Sequence, residues 1–471
     1  MLRLLRHSAL FGLAGLVQRI VSLLLVPIYT RQLKPVGYGR LELLVAVTAV
    51  LVPLLRSGVA TGFFRLWFEG DDEGRGRIGR TAFWFTMATA TLGLAVGLAF
   101  AAPLSHALWH TGHGTNLVRV AAVALFAQVN YEQLTAFYRV EQRSREYATA
   151  ALANLAITVA LSLYLVLGLH WGPTGALAGN VSGTLAVWLW LVVRRRRALG
   201  LHVDRELLRG MQRFGLPLVP AALLTWAVDF SDRLMLNGLS TQHEVGLYAL
   251  AAKLASASVL FLTAFRLAWP AFAYSIEDDE DARRTYGYVL TYAMLVATWI
   301  AVGLGLLAPW LVRILATPDF HPAWRAVGLL ALSVAGLTGY TVLAIGTGRS
   351  KQTRLNWVVS GAGALVAVAL NLALIPPYGM VGAAVATLVA YGVMFVGMAV
   401  RSQRVYPIPY QWRRVATIVG LGGALVGVGL LRPPLWAALP LALAFPLALL
   451  PLGFYLPAER GRMLRVLGSR A

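Results

Sequence analysis

Fourteen apolar segments, each about as long as a transmembrane helix, fill almost the whole chain. About 20 predominantly apolar residues are needed for a helix to cross the hydrocarbon core of a bilayer. The chain is 58% hydrophobic and only 13% charged, which is typical of a polytopic membrane protein and leaves little length for a separate globular domain. The segments run over residues 8–30, 40–64, 80–103, 117–138, 147–169, 173–193, 213–236, 245–274, 286–309, 323–345, 355–375, 379–400, 412–431 and 435–456.

The first six segments recur in the next six at a nearly constant distance. Equivalent landmarks lie 206 to 210 residues apart, and they include Val36 with Val245, Arg56 with Arg266, Arg143 with Arg349, Gly175 with Gly382, and Arg194 with Arg401. Because each repeat has an even number of spans, the two copies should be related by an axis along the membrane normal. We therefore predict an all-α membrane protein of about 14 transmembrane helices: an N-terminal lobe at residues 1–210, a C-terminal lobe at 211–410, and two accessory helices with a cytoplasmic tail at 411–471.

The distribution of arginine in the loops predicts the orientation of the chain. Alternate connections are rich in arginine, whereas the opposite ones, around residues 105–116, 170–174 and 376–378, carry no arginine or lysine. Basic loops stay on the cytoplasmic side, so both termini are expected there. The first connection, with Arg31, Lys34 and Arg40, is an exception to this pattern. The net charge of +21 is thus explained by topology, and no nucleic-acid partner is expected.

Nine ionisable side chains fall within the predicted spans. A charged residue at mid-membrane costs about 2.5 to 3.5 kcal/mol on insertion scales, and such residues usually face a bundle interior or an aqueous cavity. They therefore mark candidate functional positions. The set consists of Arg19, Glu42, Arg56, Glu132, Asp229, Asp232, Arg233, Lys253 and Arg266.

The basic members predict a site for a phosphate-bearing substrate. Arg56 and Arg266 occupy equivalent positions on the second span of each repeat, so facing lobes would bring them towards a shared cleft. Guanidinium groups bind phosphate oxygens in bidentate fashion and stay charged at physiological pH. We predict that Arg19, Arg56, Arg266 and Lys253 bind a diphosphate. The alternative is that Arg56 and Arg266 lie near a membrane surface and extend their side chains towards the headgroups.

The acidic members, Glu42, Glu132, Asp229 and Asp232, are candidates for charge pairing or for proton coupling. Asp229 lies 210 residues after Arg19, so a carboxylate stands in one repeat where the other has a base. Asp232 and Arg233 follow on the same helical face as Asp229. For Asp229, Asp232 and Arg233 we favour local charge pairing over a proton relay.

The N-terminal motifs resemble those of a known family. Thr30-Arg31-Gln32-Leu33 is followed by Gly37-Tyr38-Gly39, with Ser8, Gly12 and Pro27 before them and Gly58 and Arg65 after them. This pattern, with the span count and the duplication, is similar to the polysaccharide transporters of the multidrug/oligosaccharidyl-lipid/polysaccharide exporter superfamily. Among these, the chain looks most like the Wzx-type flippases, which act in O-antigen (lipopolysaccharide) assembly, and their relative, the lipid II flippase.

The resemblance implies an alternating-access cavity lined with cationic residues, in a multi-pass protein of the bacterial inner membrane. The implied cargo is an oligosaccharide on undecaprenyl diphosphate, moved from the cytoplasmic to the outer leaflet for cell-surface polysaccharide biosynthesis. Membrane lipid and glycan-assembly proteins are the other implied partners. Arg19 agrees with the basic residue that such flippases keep in their first span.

Two other functions fit the sequence less well. A multidrug antiporter of the same superfamily carries cations and should have a site dominated by carboxylates, whereas the site predicted here consists mainly of basic residues. A membrane glycan polymerase or ligase would need reactive residues on a sizeable outer loop, and no outer connection exceeds about 15 residues by these windows. We therefore expect no enzymatic activity, no cofactor and no metal.

Overall fold

Helices make up the regular structure of the chain. The computed structural model describes residue 15 and residues 17–69, 71–109 and 114–456. Among these residues there are helices and turns but no β-strand, which confirms the predicted all-α fold. The chain divides into two compact units, residues 1–249 and 250–471.

In the described part of the first unit, a helical stretch at residues 17–24 is followed by nine α-helices. In chain order the helices that follow are α1 (Val26–Arg56), α2 (Val59–Trp67), α3 (Asp72–Ala99), α4 (Ala101–Trp109), α5 (Thr115–Val140), α6 (Ser144–Leu163), which continues as a π-helical turn at Tyr164–Gly168, α7 (Gly172–Arg195), α8 (Arg205–Gly215) and α9 (Val219–Leu239).

The second unit begins within a long helix and contains the remaining spans. These helices are α10 (Gln242–Ser275), which starts in the first unit, α11 (Asp279–Leu315), α12 (Trp324–Arg349), α13 (Asn356–Val405), α14 (Trp412–Gly429) and α15 (Leu435–Ala448).

Two of the continuous helices join successive predicted spans: α13 contains two of them, and α1 joins the end of the first span to most of the second. In α1 the backbone leaves the helical region at Lys34 (φ 52°, ψ 169°), directly before Pro35, because a residue that precedes proline is disfavoured in the helical conformation. In α13 the break falls at Gly379 (φ 52°, ψ −130°), a conformation that glycine tolerates. With these two breaks, a helix lies at each of the fourteen predicted spans within the described residues.

The second predicted span, at residues 40–64, was expected to be one helix, and this is wrong: the segment forms two helices. Ser57 (φ 43°) and Gly58 (φ 73°) end α1, and α2 starts afresh at Val59. The interruption brings Gly58 against the C-terminal end of α8: a Cβ on Gly58 would lie 2.1 Å from the carbonyl carbon of Gly215. This contact requires glycine, which the hydropathy of the segment does not reveal.

Helix α8 was not predicted, since its residues were assigned to a basic loop. Asp204 caps it, accepting hydrogen bonds from the amides of Glu206 (2.9 Å) and Leu207 (3.1 Å). The bond from Leu207 is the main reason why the pKa of Asp204 lies below its usual value, and Arg77 also donates to this carboxylate. Met211 of α8 is fully buried, so α8 belongs to the packed core.

Each unit has its own apolar core. In the first, Phe63, Leu134 and Met211 are members of one buried cluster. In the second, Tyr286, Leu290 and Phe445 belong to another. Because the protein is also surrounded by lipid, large apolar side chains such as Leu365 and Trp436 are exposed on its surface.

The lengths of the helices fit membrane spans. Eight of those described are long and apolar enough to cross a bilayer by length and composition. Helix α15 ends at Ala448, short of the predicted boundary at residue 456, and carries Pro440 and Pro446 inside it. The predicted lobe boundary at residue 210 refers to the sequence repeat and stays a prediction, whereas the contact-based division falls after Ala249.

Candidate functional site

Arg56 is the last residue of α1, and a carboxylate of α5 holds it. Its Nη1 donates to Oε2 of Glu132 at 2.7 Å. The Arg56 side chain is 14% exposed and that of Glu132 is 30% exposed, so the ion pair is largely buried within the protein. Gln128, one turn before Glu132, donates from Nε2 to Glu132 Oε1 at 2.6 Å. Both oxygens of the carboxylate are thereby fixed, which orients the guanidinium.

The opposite edge of the Arg56 guanidinium is buried and has no hydrogen-bond partner among the described residues. Within the described residues, Nε and Nη2 of Arg56 have no hydrogen-bond partner. These two nitrogens form one edge of the planar fork, from which two parallel N–H bonds reach a phosphate or carboxylate. Buried polar groups are rarely left unsatisfied, so this edge is suited to a ligand.

A cavity of about 350 Å³ lies in the same unit, next to the Glu132 network. Its polar lining consists of Glu42, Thr48, Gln128 and Asn180, among apolar residues of α1, α5 and α7. Gln128 lines this cavity and also bonds to Glu132, so a polar connection runs from the cavity to Arg56.

The second repeat has a bond at the equivalent place. Arg266 on α10 donates from Nε to Thr341 Oγ1 on α12 at 3.3 Å. Arg56 and Glu132 are separated by 76 residues, and Arg266 and Thr341 by 75, so the arginine contacts the corresponding span in both repeats. Thr341 is neutral, and the Arg266 side chain is exposed. The first copy thus neutralises its arginine, while the bond of Arg266 to a hydroxyl leaves its charge intact.

The other two predicted bases differ in exposure. Arg19 lies in the helical stretch at residues 17–24 and is exposed, and Lys253 of α10 is half-buried. Arg19 and Arg56 belong to the first unit, and Lys253 and Arg266 belong to the second.

Asp232 lies in an aromatic setting. It is 1% exposed and accepts a hydrogen bond from the hydroxyl of Tyr248. The Arg233 guanidinium lies 5.1 Å from the ring centroid of Phe230 and 5.7 Å from that of Tyr248. Together these contacts tie α9 to the start of α10. The side chain of Asp229 lies outside the part of the chain that the structure describes.

Sequence reasoning missed the uncharged members of the site. Gln128, Asn180 and Thr341 complete the hydrogen bonds and the cavity lining described above. Gln128 could have been found from its spacing, since Gln128 and Glu132 are neighbours on one helical face. Asn180 and Thr341 have no comparable signal, because isolated polar residues are ordinary in membrane helices.

Comparisons with known proteins identify the fold and the family. The chain is similar to an inward-facing multidrug resistance MATE family transporter of the MOP superfamily, with a TM-score of 0.70, 15% identity, and coverage of 85% of this chain and 95% of the other. Against the lipid II flippase MurJ in its inward closed conformation, the values are 0.61, 12%, 89% and 98%. An outward-facing MATE transporter gives 0.59, 14%, 88% and 96%.

These likenesses establish the fold as that of a multi-pass membrane protein with about fourteen spans. No curated protein sequence gives a significant match. A family profile described as "Polysaccharide biosynthesis protein" matches residues 28–325, which is more than half of the chain and includes Arg56, Glu132 and Arg266. The chain therefore belongs to the polysaccharide biosynthesis protein family.

Proposed function

We propose that this protein is a flippase for a lipid-linked oligosaccharide. Its substrate would be a sugar chain on undecaprenyl diphosphate, moved by alternating access from the cytoplasmic to the outer leaflet of the bacterial inner membrane for cell-surface polysaccharide biosynthesis. Both termini would then be cytoplasmic. Membership of the polysaccharide biosynthesis family and a fold like that of the lipid II flippase support this proposal.

The buried, unpartnered edge of the Arg56 guanidinium is the observation that carries the proposal. A diphosphate offers pairs of oxygens at the spacing that a guanidinium edge binds, and Nε and Nη2 point away from the bond to Glu132. Glu132 and Gln128 hold the guanidinium in place before the substrate arrives, so less freedom is lost on binding. Glu132 is therefore a positioning residue in this proposal.

The remaining bases would supply further charge. Arg266 keeps its full positive charge beside Thr341, and Arg19 and Lys253 are the other proposed diphosphate ligands. Among the carboxylates, Glu42 lines the cavity and is the candidate for ion coupling, whereas Glu132 and Asp232 are engaged in structural bonds. Asp229 stays a candidate for charge pairing.

The test is flipping of a diphosphate-linked oligosaccharide in proteoliposomes. We expect Arg56→Ala to slow flipping about 10- to 100-fold, because a hydrogen bond to a charged group is worth about 1.5 to 3 kcal/mol. Arg56→Lys should recover little of this loss, since an ammonium keeps the charge but not the fork. Arg119→Ala, an exposed arginine on the same helix as Glu132, is the matched control. Flipping by Arg56→Ala at half the normal rate or above would refute the proposal.

A cation antiporter is the second candidate. It is supported by Glu42, a carboxylate that lines the cavity among mostly apolar side chains, as a lipophilic cation would require. Efflux of a cationic dye from intact cells separates the two functions. The antiporter requires that efflux depend on Glu42 and survive Arg56→Ala; the flippase requires no efflux above the background of cells lacking the protein.

A further inference from the structure

A different cavity, with a basic lining, opens near the C-terminal end of α7, and it includes none of the residues proposed above for the substrate. It has a volume of about 270 Å³ and is lined by Tyr138, Glu141, Arg143, Glu146, Arg194, Arg195, Arg197 and Ala198. Four arginines against two glutamates give the lining a net charge of +2. All of these residues belong to the first unit.

Glu141 is neutralised by arginines of the cavity itself. Arg195 binds it in bidentate fashion, with Nη1 to Oε1 at 2.9 Å and Nη2 to Oε2, and Arg143 Nε lies 3.4 Å from the same carboxylate. The Arg195 guanidinium also stacks near Tyr138, 4.6 Å from its ring centroid. These contacts fix Arg195 as part of the cavity wall.

Arg194 and Arg197 provide the excess charge. Both are exposed, and in the described part of the chain neither forms an ion pair with a carboxylate. Arg194 lies over the ring of Trp190, 5.5 Å from its centroid. The remaining carboxylate of the lining is Glu146, near the start of α6. An anion here would meet two accessible guanidinium groups.

An exposed apolar band lies directly beside these arginines. In the last turns of α7, Leu189 is 53% exposed, Trp190 41% and Val193 62%. Positions 190 and 194 follow the helical spacing that places them on one face, and Arg197 lies in the turn that follows α7. Tryptophan and arginine at the end of an apolar helix mark the level of the lipid headgroups. An apolar surface suited to acyl chains therefore lies next to a cationic surface suited to a phosphate headgroup.

We propose that this cavity binds the headgroup of an anionic phospholipid. Its phosphate would lie between Arg194 and Arg197, with the acyl chains along Leu189, Trp190 and Val193. Basic pockets at the ends of transmembrane helices attract such headgroups. The site is separate from the proposed diphosphate site, so a lipid bound here would be a structural ligand and not cargo.

Native mass spectrometry of the full chain, purified in a mild detergent, tests this proposal. The probes are phosphatidylglycerol, phosphatidylcholine and inorganic phosphate. We expect retention of phosphatidylglycerol over phosphatidylcholine, and roughly 10- to 30-fold weaker retention in the double variant Arg194→Gln/Arg197→Gln, from about 1 kcal/mol per basic residue.

The matched control is Arg145→Gln/Arg196→Gln, which removes the same charge from exposed arginines that do not line the cavity. This control should retain phosphatidylglycerol like the unmodified protein. Equal losses in both double variants would show only a general charge effect and would overturn the proposal. Displacement of the lipid by inorganic phosphate at millimolar concentration would also overturn it, because the site would then bind soluble anions.

Discussion

Arg56 and Arg266 are copies of one residue that now have different electrostatic settings. Each contacts the fourth span of its own repeat, but Arg56 finds a carboxylate there and Arg266 a hydroxyl. The carboxylate offsets the cost of a charge that is 14% exposed. Arg266 is exposed, so no carboxylate is needed to offset its burial within the protein. Burial and the charge of the partner therefore differ together between the two positions.

This argument predicts the effect of removing Glu132. Glu132→Ala should lower the free energy of unfolding by about 1 to 3 kcal/mol, between the values for exposed and buried ion pairs. Most of this loss should come from leaving the Arg56 charge without a partner. The double variant Arg56→Ala/Glu132→Ala should therefore lose less free energy of unfolding than the sum of the two single variants. Thermal unfolding in detergent measures all three.

Thr341→Val provides the comparison in the second repeat. It removes the hydrogen-bond acceptor of Arg266 without leaving a buried charge unpaired, so the free energy of unfolding should fall by about 1 kcal/mol or less.

If the losses from Arg56→Ala and Glu132→Ala were simply additive, the two side chains would not be energetically coupled, contrary to the geometry.

At the scale of elements, equivalent turns of the two repeats touch each other within the first unit. A Cβ on Gly39 would lie 2.4 Å from the carbonyl oxygen of Gln242, and one on Gly246 would lie 2.0 Å from that of Pro35. Arg40 donates from Nε to Gln242 Oε1 at 2.7 Å across this contact. One base of the exceptional first connection is therefore accounted for by a specific bond.

This contact predicts that Gly246 tolerates no side chain. Gly246→Ala forces Pro35 and the start of α10 apart, and overpacking of this kind costs about 1 to 3 kcal/mol. The melting temperature in detergent should fall. Gly238→Ala is the matched control, because a Cβ there would have no atom within 4 Å, and alanine is the better helix former. A variant at Gly246 as stable as the one at Gly238 would contradict the close approach.

The spans could be predicted from the sequence because each one satisfies a local requirement, about 20 apolar residues in a row. The breaks at Lys34 and Gly379 were also predictable from the sequence, from Pro35 in the first case and from the pair Pro376 and Pro377 in the second. Helix α8 was missed since it is too polar to resemble a span, although Asp204 and the buried Met211 gave a capping and an amphipathic signal. The interruption at Ser57 depends on a distant partner, Gly215, and no local pattern records it.

The charged residues of the candidate site were identifiable because ionised groups are costly in a membrane. Their partners were not, since the pairing of Arg56 with Glu132 requires the rotation of α1 and α5 about their axes. From the sequence alone Arg56 and Arg266 are equivalent, and only the structure shows that Arg56 is paired with a carboxylate and Arg266 with a hydroxyl.

For the whole molecule, the proposed cargo makes transport electrogenic. A diphosphate-linked substrate carries roughly two negative charges, and each elementary charge moved across 100 mV is worth about 2.3 kcal/mol. A potential that is negative on the cytoplasmic side should therefore favour export by about 4 to 5 kcal/mol. We expect a potassium diffusion potential of this sign, set with valinomycin in proteoliposomes, to accelerate flipping, and the opposite sign to slow it. Arg56→Ala liposomes give the background. Flipping that does not depend on the membrane potential but stops when a pH gradient is collapsed would instead identify proton coupling. Glu42, which lines the cavity, would then be the first residue to replace.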